Sequence, residues 1–231
     1  MNEKKVLILS PHPDDDIISC GGTLQLYKRR GAKVTSVYMT DGRKGGRKTT
    51  GDELVAIRKE EARRAAGIVG IDRLIFLQNR DGELAPTYKT VTELSDILAE
   101  IRPEAVFLPF FMDNHVDHMA ASRIFLLASR ARSAPATMCY SYGIWTPLPA
   151  FNLLVDITPM SALKDRALAE HRSQLEMLDL SGAASGLSRY YSLMSGGSGL
   201  AEAFLACRMA EFRRLGKLWD RKPPSFFKIS L

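Results

Sequence analysis

Cysteine, histidine and long apolar runs are scarce in this chain, and each scarcity removes a class of protein. The three cysteines, Cys20, Cys139 and Cys207, are scattered through 231 residues without a CxxC spacing. That argues against a disulfide framework and a cysteine-ligated zinc site, and it fits a reducing, cytoplasmic setting. The longest apolar stretch, AVFLPFFM from Ala105 to Met112, falls well short of the ~20 residues that cross a bilayer, so no membrane span is expected. The opening MNEKKVLILS puts positive charge before an apolar stretch too short for a signal-peptide core, and it stops at Pro11 without a small-residue cleavage site. It reads as a first strand. No internal repeat, low-complexity tract or composition break marks a linker, so residues 1–231 are expected to form one domain.

The net charge is +6, from 32 Lys and Arg against 26 Asp and Glu. These basic residues are spread along segments of helical period with no basic–aromatic motif among them, which argues against a nucleic-acid partner. The excess suits an anionic small molecule and equally suits solubility alone.

Apolar runs at Val6–Leu9, Val34–Met39, Leu74–Leu77 and Ala105–Phe111 alternate with longer segments of helical period. That alternation predicts βαβ units around a parallel sheet. Apolar and small residues recur at i, i+3, i+4 through Ile17, Cys20, Gly21 and Leu24, through Leu54, Ile57, Ala62 and Ala65, and through Leu94, Ile97, Leu98 and Ile101. Gly31, Gly67 or Gly70, and Pro103 offer stops. Further along, a helix over Ala121–Arg132, strands at Met138–Tyr142 and Leu153–Ile157, and a long helix from about Ser161 to Leu178 are expected. Ser181–Gly199, rich in Ser and Gly, reads as a loop, and GLAEAFLACRMAEF after it reads as helical.

One stretch stands apart: ILSPHPDDDIISCGGTL, from Ile8 to Leu24, sets one histidine and three consecutive aspartates directly after the first strand. With Pro13 at the first helical position, Asp14, Asp15 and Asp16 fall in a first turn, where the helix dipole favours negative charge. A parallel α/β sheet binds its ligands at the carboxyl ends of its strands, so this turn lies where a site is expected. A second turn, NHVDHMAA from Asn114 to Ala121, follows another buried-looking strand and opens at the same edge. The chain has four histidines, and His12, His115 and His118 lie in these two turns. An imidazole and a carboxylate from the first turn, with an imidazole from the second, make a set that holds a divalent metal and keeps a position open for water. Zinc (Zn2+) leads, and iron(II) (Fe2+) also suits two histidines and one carboxylate.

On PHPDDD with CGGTL, and on HVDH, the sequence resembles the PIG-L or LmbE-like family of zinc-dependent N-acetylglucosaminyl deacetylases. The likeness extends through VTSVYMTDGRKG, IRKEEARRAAGIVG, the DG at Asp81 and KDRALAEHRSQ. The resemblance implies an α/β, Rossmann-like three-layer sandwich with a mainly parallel sheet, and a small amino-sugar substrate. It implies His12, Asp15 and His118 as metal ligands and Asp14 as the base that takes a proton from water. It further implies His115 as the acid at the leaving amine, Asp117 as the holder of its ring, and Arg58 and Asp81 as sugar contacts. Two departures stand out: Asp16 replaces a common glutamate, and Asp113 stands where some relatives carry a tyrosine.

Plainer readings remain open beside these. Arg58 suits a salt bridge to Glu61 or Glu53 on its own helix, and Asp81 suits a simple turn. His171 reads as a structural helix histidine, and the glycines of CGGTL as close-packing positions, since they do not match GxGxxG. The basic GRKGGRKTTG reads as a solvated loop or as a cover over the site mouth. Competing functions are an amidase acting on a thiol conjugate and a non-catalytic sugar- or nucleotide-binding domain with a structural metal. The substrate's other half and a homo-oligomeric state stay open.

Overall fold

The computed structural model describes residues 2–131 and 137–216. Its first half alternates as the apolar runs predict: β1 (Lys5–Ser10), α1 (Asp15–Arg29), β2 (Lys33–Thr40), α2 (Gly51–Val69), β3 (Arg73–Asn79), α3 (Tyr88–Ile101), β4 (Ala105–Pro109) and α4 (Val116–Ala131). The second half adds β5 (Met138–Tyr142), β6 (Leu153–Asp156), α5 (Ser161–Leu168), α6 (Arg172–Leu175), α7 (Leu180–Met194), β7 (Ala201–Arg208) and α8 (Met209–Leu215). The strands join in the order β3-β2-β1-β4-β5-β7-β6. β1 to β5 pair in parallel, and β7 runs antiparallel to both β5 and β6.

Alternation along β1 builds two cores. Val6 and Ile8 join Ile17, Cys20 and Leu24 of α1, Ala65 and Val69 of α2 and Ala167 of α5 on one face. Leu7 and Leu9 join Leu94 and Leu98 of α3, Ile124 and Phe125 of α4 and Phe212 of α8 on the other. The result is a helix–sheet–helix sandwich, because side chains of one strand point alternately to opposite faces. Gly70, in the left-handed region at φ +87°, ends α2. Arg102 takes φ +50° before Pro103 and ends α3.

The chain runs outward from β1 through β2 to β3, then returns to the far side of β1 with β4. The connections after β1 and after β4 therefore diverge, and the crevice between them opens at the carboxyl ends of both strands. His12–Asp15 and His115–His118 lie in those connections.

Four expectations are corrected. Ser181–Gly199 is mostly helix α7: Asp179 caps it, accepting from the Gly182 N–H at 2.8 Å, and Leu180, Ala183, Ala184 and Leu187 give it a helical stripe. Gly199–Phe212 is mainly strand β7, whose pairing with β5 and β6 overrides the helix preference of its Ala, Glu and Leu. The long helix over Ser161–Leu178 breaks into α5 and α6 at a turn containing His171. α4 begins at Val116 rather than Ala121, placing His118 in its first turn; Arg132 lies outside the described residues. Cys139 and Cys207, far apart in sequence, face each other in register across β5 and β7 as free thiols.

Candidate active site

Asp14 occupies the N-cap of α1, which moves Pro13 ahead of the helix, yet its carboxylate makes no capping bond. Aspartate at this position ordinarily caps. Here Oδ1 instead accepts from Arg58 Nη2 at 3.0 Å, with both side chains buried. Arg58 Nη1 donates to the Gly42 carbonyl at 3.1 Å. A Cβ at Gly42 or Gly45 would fall 2.8 or 2.4 Å from that guanidinium, so the glycines of TDGRKG make its cradle. Arg58 thus reaches across to Asp14 rather than to Glu61 or Glu53 on its own helix; Glu61 accepts from Ser173 N–H and Oγ.

Asp15 folds back so that Oδ2 accepts from the His12 N–H at 2.7 Å. The same oxygen stands 3.2 Å from His12 Nδ1 and 3.3 Å from His118 Nε2. His118 is fully buried, and its Nε2 has no hydrogen-bond partner. Its other nitrogen, Nδ1, lies 3.1 Å from Asp113 Oδ2. Asp113, singled out in the sequence only as a departure, therefore holds the His118 ring, and Ile144 N–H donates to the same oxygen at 3.2 Å. Its position just after β4 and ahead of the histidine pair was the available signal.

Asp117 has a different place from the expected one. Its carboxylate accepts from the Gly82 and Leu84 N–H groups at 2.6 and 3.1 Å and approaches His12 Nε2 at 3.2 Å. It holds the His12 ring, while only its backbone N–H reaches His115, donating to Nδ1 at 3.2 Å. Asp81 joins it, with Oδ1 3.3 Å from His12 Nε2 and Oδ2 accepting from Lys44 N–H at 3.1 Å. Asp16, buried, accepts from Ser36 Oγ and Tyr38 Oη of β2 at 2.6 and 2.8 Å. Its shorter side chain still ties α1 to the sheet.

Burial works against charge on His12, but Asp117 and Asp15 outweigh it and raise its proton affinity well above the ordinary value. Burial is likewise overcome at His118 by Asp15 and Asp113, which lift it to about 9. Asp15, between them, is held far below the usual carboxylate range despite burial. Burial together with His12 and His118 lowers the proton affinity of His115. Such a cluster favours positive charge at its centre.

Among the described residues, two groups bring ligand atoms within 4.8 Å of one another: His12 with His115 and His118, and His12 with Asp81 and Asp117. The donors His12 Nδ1, Asp15 Oδ2 and His118 Nε2 fit a small divalent ion on a separate ground. Adjacent corners of a tetrahedron with ~2.0–2.1 Å bonds stand about 3.3–3.4 Å apart, close to the two spacings seen at Asp15 Oδ2. The orphaned Nε2 is the atom such an ion would use. Carboxylates already hold the far nitrogens of both rings, Asp113 at His118 Nδ1, and Asp117 and Asp81 at His12 Nε2.

These residues line one cleft, with His12, Asp14, Asp15, Arg58, Asp81 and His115 on its walls. Lys44 and Gly45 of the basic loop lie there too, so that loop sits at the mouth. Trp145, 48% exposed, stacks beside His115 with ring centroids 5.9 Å apart.

An α/β sandwich with a histidine–carboxylate cluster at a reversal of strand order is the class that fold and cleft define. Within it, this chain belongs to the PIG-L family: the model of that family, described as GlcNAc-PI de-N-acetylase, matches residues 7–129 and so takes in both motif turns. The chain is 31% identical over 189 residues to a diacetylchitobiose deacetylase of Thermococcus kodakarensis, covering 74% of this chain and 70% of that protein. It is similar to the structure of N,N'-diacetylchitobiose deacetylase from Pyrococcus horikoshii, with TM-score 0.81 and 27% identity, over 91% of this chain and 86% of that one. GalB, the 4-carboxy-2-hydroxymuconate hydratase from Pseudomonas putida KT2440, superposes with TM-score 0.78 at 19% identity, over 98% of this chain and all of that one, a likeness of fold alone.

Proposed function

We propose that this chain is a zinc-dependent N-deacetylase that hydrolyses the acetamide of an N-acetylglucosaminyl or related amino-sugar compound to acetate and free amine. The observation that carries the reading is the pairing of Asp14 with buried Arg58 beside an Asp15 that sits between His12 and His118. A purely structural ion site needs no such extra carboxylate held outside the ligand set.

His12, Asp15 and His118 would hold the metal, which supplies polarisation of the amide carbonyl and acidification of water. Arg58 grips Asp14 by Oδ1 and fixes the carboxylate as the group that accepts the proton of the attacking water. His115, whose Nδ1 accepts from the Asp117 N–H, would in its protonated form give a proton to the departing nitrogen as the C–N bond breaks. Each proton transfer contributes on the order of 10² to 10⁴ in rate. Asp117 and Asp81 orient His12, and Asp113 orients His118. Trp145 offers the flat face of a sugar ring an apolar platform, and Asp81 and Arg58 border the ring's polar edge. Among the described residues no helix is long and apolar enough to cross a membrane. The scattered cysteines, without a pairing or ligand spacing, support a cytoplasmic setting, and the reading takes the chain as one domain over residues 1–231.

The test is amine release from a panel of neutral and anionic N-acetylglucosaminyl compounds by zinc-loaded protein. Asp14→Ala should keep the metal and lose at least ~100-fold in kcat; His118→Ala should lose both metal and turnover. Equal activity in wild type and Asp14→Ala would refute the mechanism.

A further inference from the structure

Cys139 and Cys207 take no part in the cleft. Cys139 is the second residue of β5, towards the amino end of a strand whose carboxyl end leads to Trp145. It pairs in register with Cys207 of β7, between Met138↔Arg208 and Tyr140↔Ala206. Met209 N–H donates to the Thr137 carbonyl at 3.0 Å, and the Asn152 side chain takes up both backbone groups of Ala206 from the β6 side. Ladder bonds alternate along an antiparallel pair, so two steps in from Thr137 and Met209 the cysteines form a hydrogen-bonded pair, with Cα atoms about 5.5 Å apart. Directly opposed side chains share one face of a sheet, and both cysteines belong with the cluster that holds Phe125, Met209 and Phe212.

That spacing separates two uses of a thiol pair. A disulfide needs Cβ atoms about 3.5–4.5 Å apart, whereas opposed side chains stand about 4.5–5.5 Å apart and are closer in the other kind of pair. A bridging ion asks for less. Metal–sulfur bonds of ~2.3 Å put sulfurs ~4.0 Å apart at the corners of a trigonal plane. A third sulfur stands at that distance: Cys139 Sγ lies 3.9 Å from Met209 Sδ. Arg213, whose Nε is buried without a hydrogen-bond partner, favours a thiolate at Cys139 against the burial that opposes it. Cys207 is only partly buried, which leaves a way in. Among the described residues neither cysteine joins a trio of histidine, cysteine and carboxylate ligands, so the donors are two thiols and a thioether. That set is one ligand short of a structural zinc site, and its softness selects copper(I).

We propose that Cys139, Cys207 and Met209 form a binding site for a soft monovalent metal ion, copper(I), which bridges β5, β7 and the start of α8. On binding, each thiol gives its proton to solvent, three metal–sulfur bonds form, and copper stays in the +1 state, so no oxidant is consumed. The site shares no residue with the cleft and stands whether or not the deacetylase reading does.

The test uses reduced, zinc-loaded full-length protein under anaerobic conditions, with copper(I) delivered from a coloured chelator. Native mass spectrometry should find one copper per chain beside the zinc. Replacing both cysteines, Cys139→Ser with Cys207→Ser, should lose the copper and keep the zinc. Met209→Leu, which holds the volume and removes the sulfur, should yield its copper at a lower chelator concentration. Cys20→Ser, whose thiol lies in the core on the opposite face, should behave as wild type. Should the serine variants fail to fold, wild-type protein alone decides: X-ray absorption at the copper edge should show a shell of sulfur at ~2.3 Å and no nitrogen. No copper retained, copper held equally well by the double variant or by Met209→Leu, or nitrogen in the shell would each overturn the proposal and leave the three sulfurs as core packing.

Discussion

At the scale of single residues, chemistry confined to one turn was legible and chemistry that crosses the fold was not. His12, Asp14, Asp15, His115 and His118 announced themselves because residue types that repel or pack poorly were crowded after two strands. The partners of Arg58 and Asp117 lie 44 residues back and 105 residues back in the chain, and no local spacing signals them. Asp113 is the clearest case: read as the loss of a phenol, it is the acceptor for His118 Nδ1. Asp113→Ala should weaken metal affinity about 10- to 100-fold in a chelator competition, as loss of a partner behind a ligand does, and Asp113→Asn should lose less because its carbonyl still accepts. His171, expected to be structural, is 1% exposed, and neither ring nitrogen has a hydrogen-bond partner. Burial, with Arg58 nearby, pushes it down to about 4, below its value of ~6.5 in an unfolded chain. The unfolded state therefore binds the proton first as pH falls. The stabilisation is complete above pH 6.5 and is lost between about 6.5 and 4, up to roughly 3 kcal/mol. Urea midpoints across that range should fall less steeply in His171→Leu than in wild type; parallel curves would count against a neutral buried ring.

At the scale of elements, hydrophobic period recovered the first half because each strand there is an apolar run and each helix an amphipathic one. It failed where tertiary pairing decides. Ala201, Glu202, Ala203 and Phe204 are all buried, so β7 shows no alternation, and its composition is that of a helix. Glu202 is the residue that turns this strand into a brace. From β7 it reaches α1 at Gly22 and Thr23 and draws in Lys164 of α5, tying three elements behind the acidic turn. The CGGTL glycines suit this approach: a Cβ at Gly22 would lie 2.5 Å from Ile157. Replacing Glu202 by Ala leaves Lys164 charged and buried without its partner, together with two helix N–H groups. Loss of one member of a buried pair costs about 3–5 kcal/mol, so chemical denaturation of Glu202→Ala should show a drop of that order. A change under ~1 kcal/mol would mean that the pair is hydrated and α1 independent of β7.

At the scale of the whole molecule, strand order places the chemistry and net charge governs the approach to it. Because β2 and β4 flank β1 on opposite sides, the two motif turns meet where the strand order reverses in the parallel part of the sheet, and a sequence that reveals both turns after strands already implies their meeting. What it left open was whether the basic loop covers that crevice. Lys44 does line it, with its N–H on Asp81 and its Nζ 3.6 Å from Glu83, while Arg43 is taken up by Asp41 and Asp52. The Lys44 ammonium is more than half exposed, and an exposed pair of that kind is worth at most ~1 kcal/mol, so it is available to an arriving anion. With a net charge of +6 behind it, the mouth should concentrate anionic conjugates. Reversing charge at Lys44 and Arg47 together should then raise KM for an anionic substrate several-fold at low ionic strength and leave a neutral one little changed. The difference should shrink towards 0.15 M salt and beyond, where the screening length falls to ~8 Å and less. Equal KM shifts for the two substrates, or a shift that salt does not touch, would assign the loop a steric role instead.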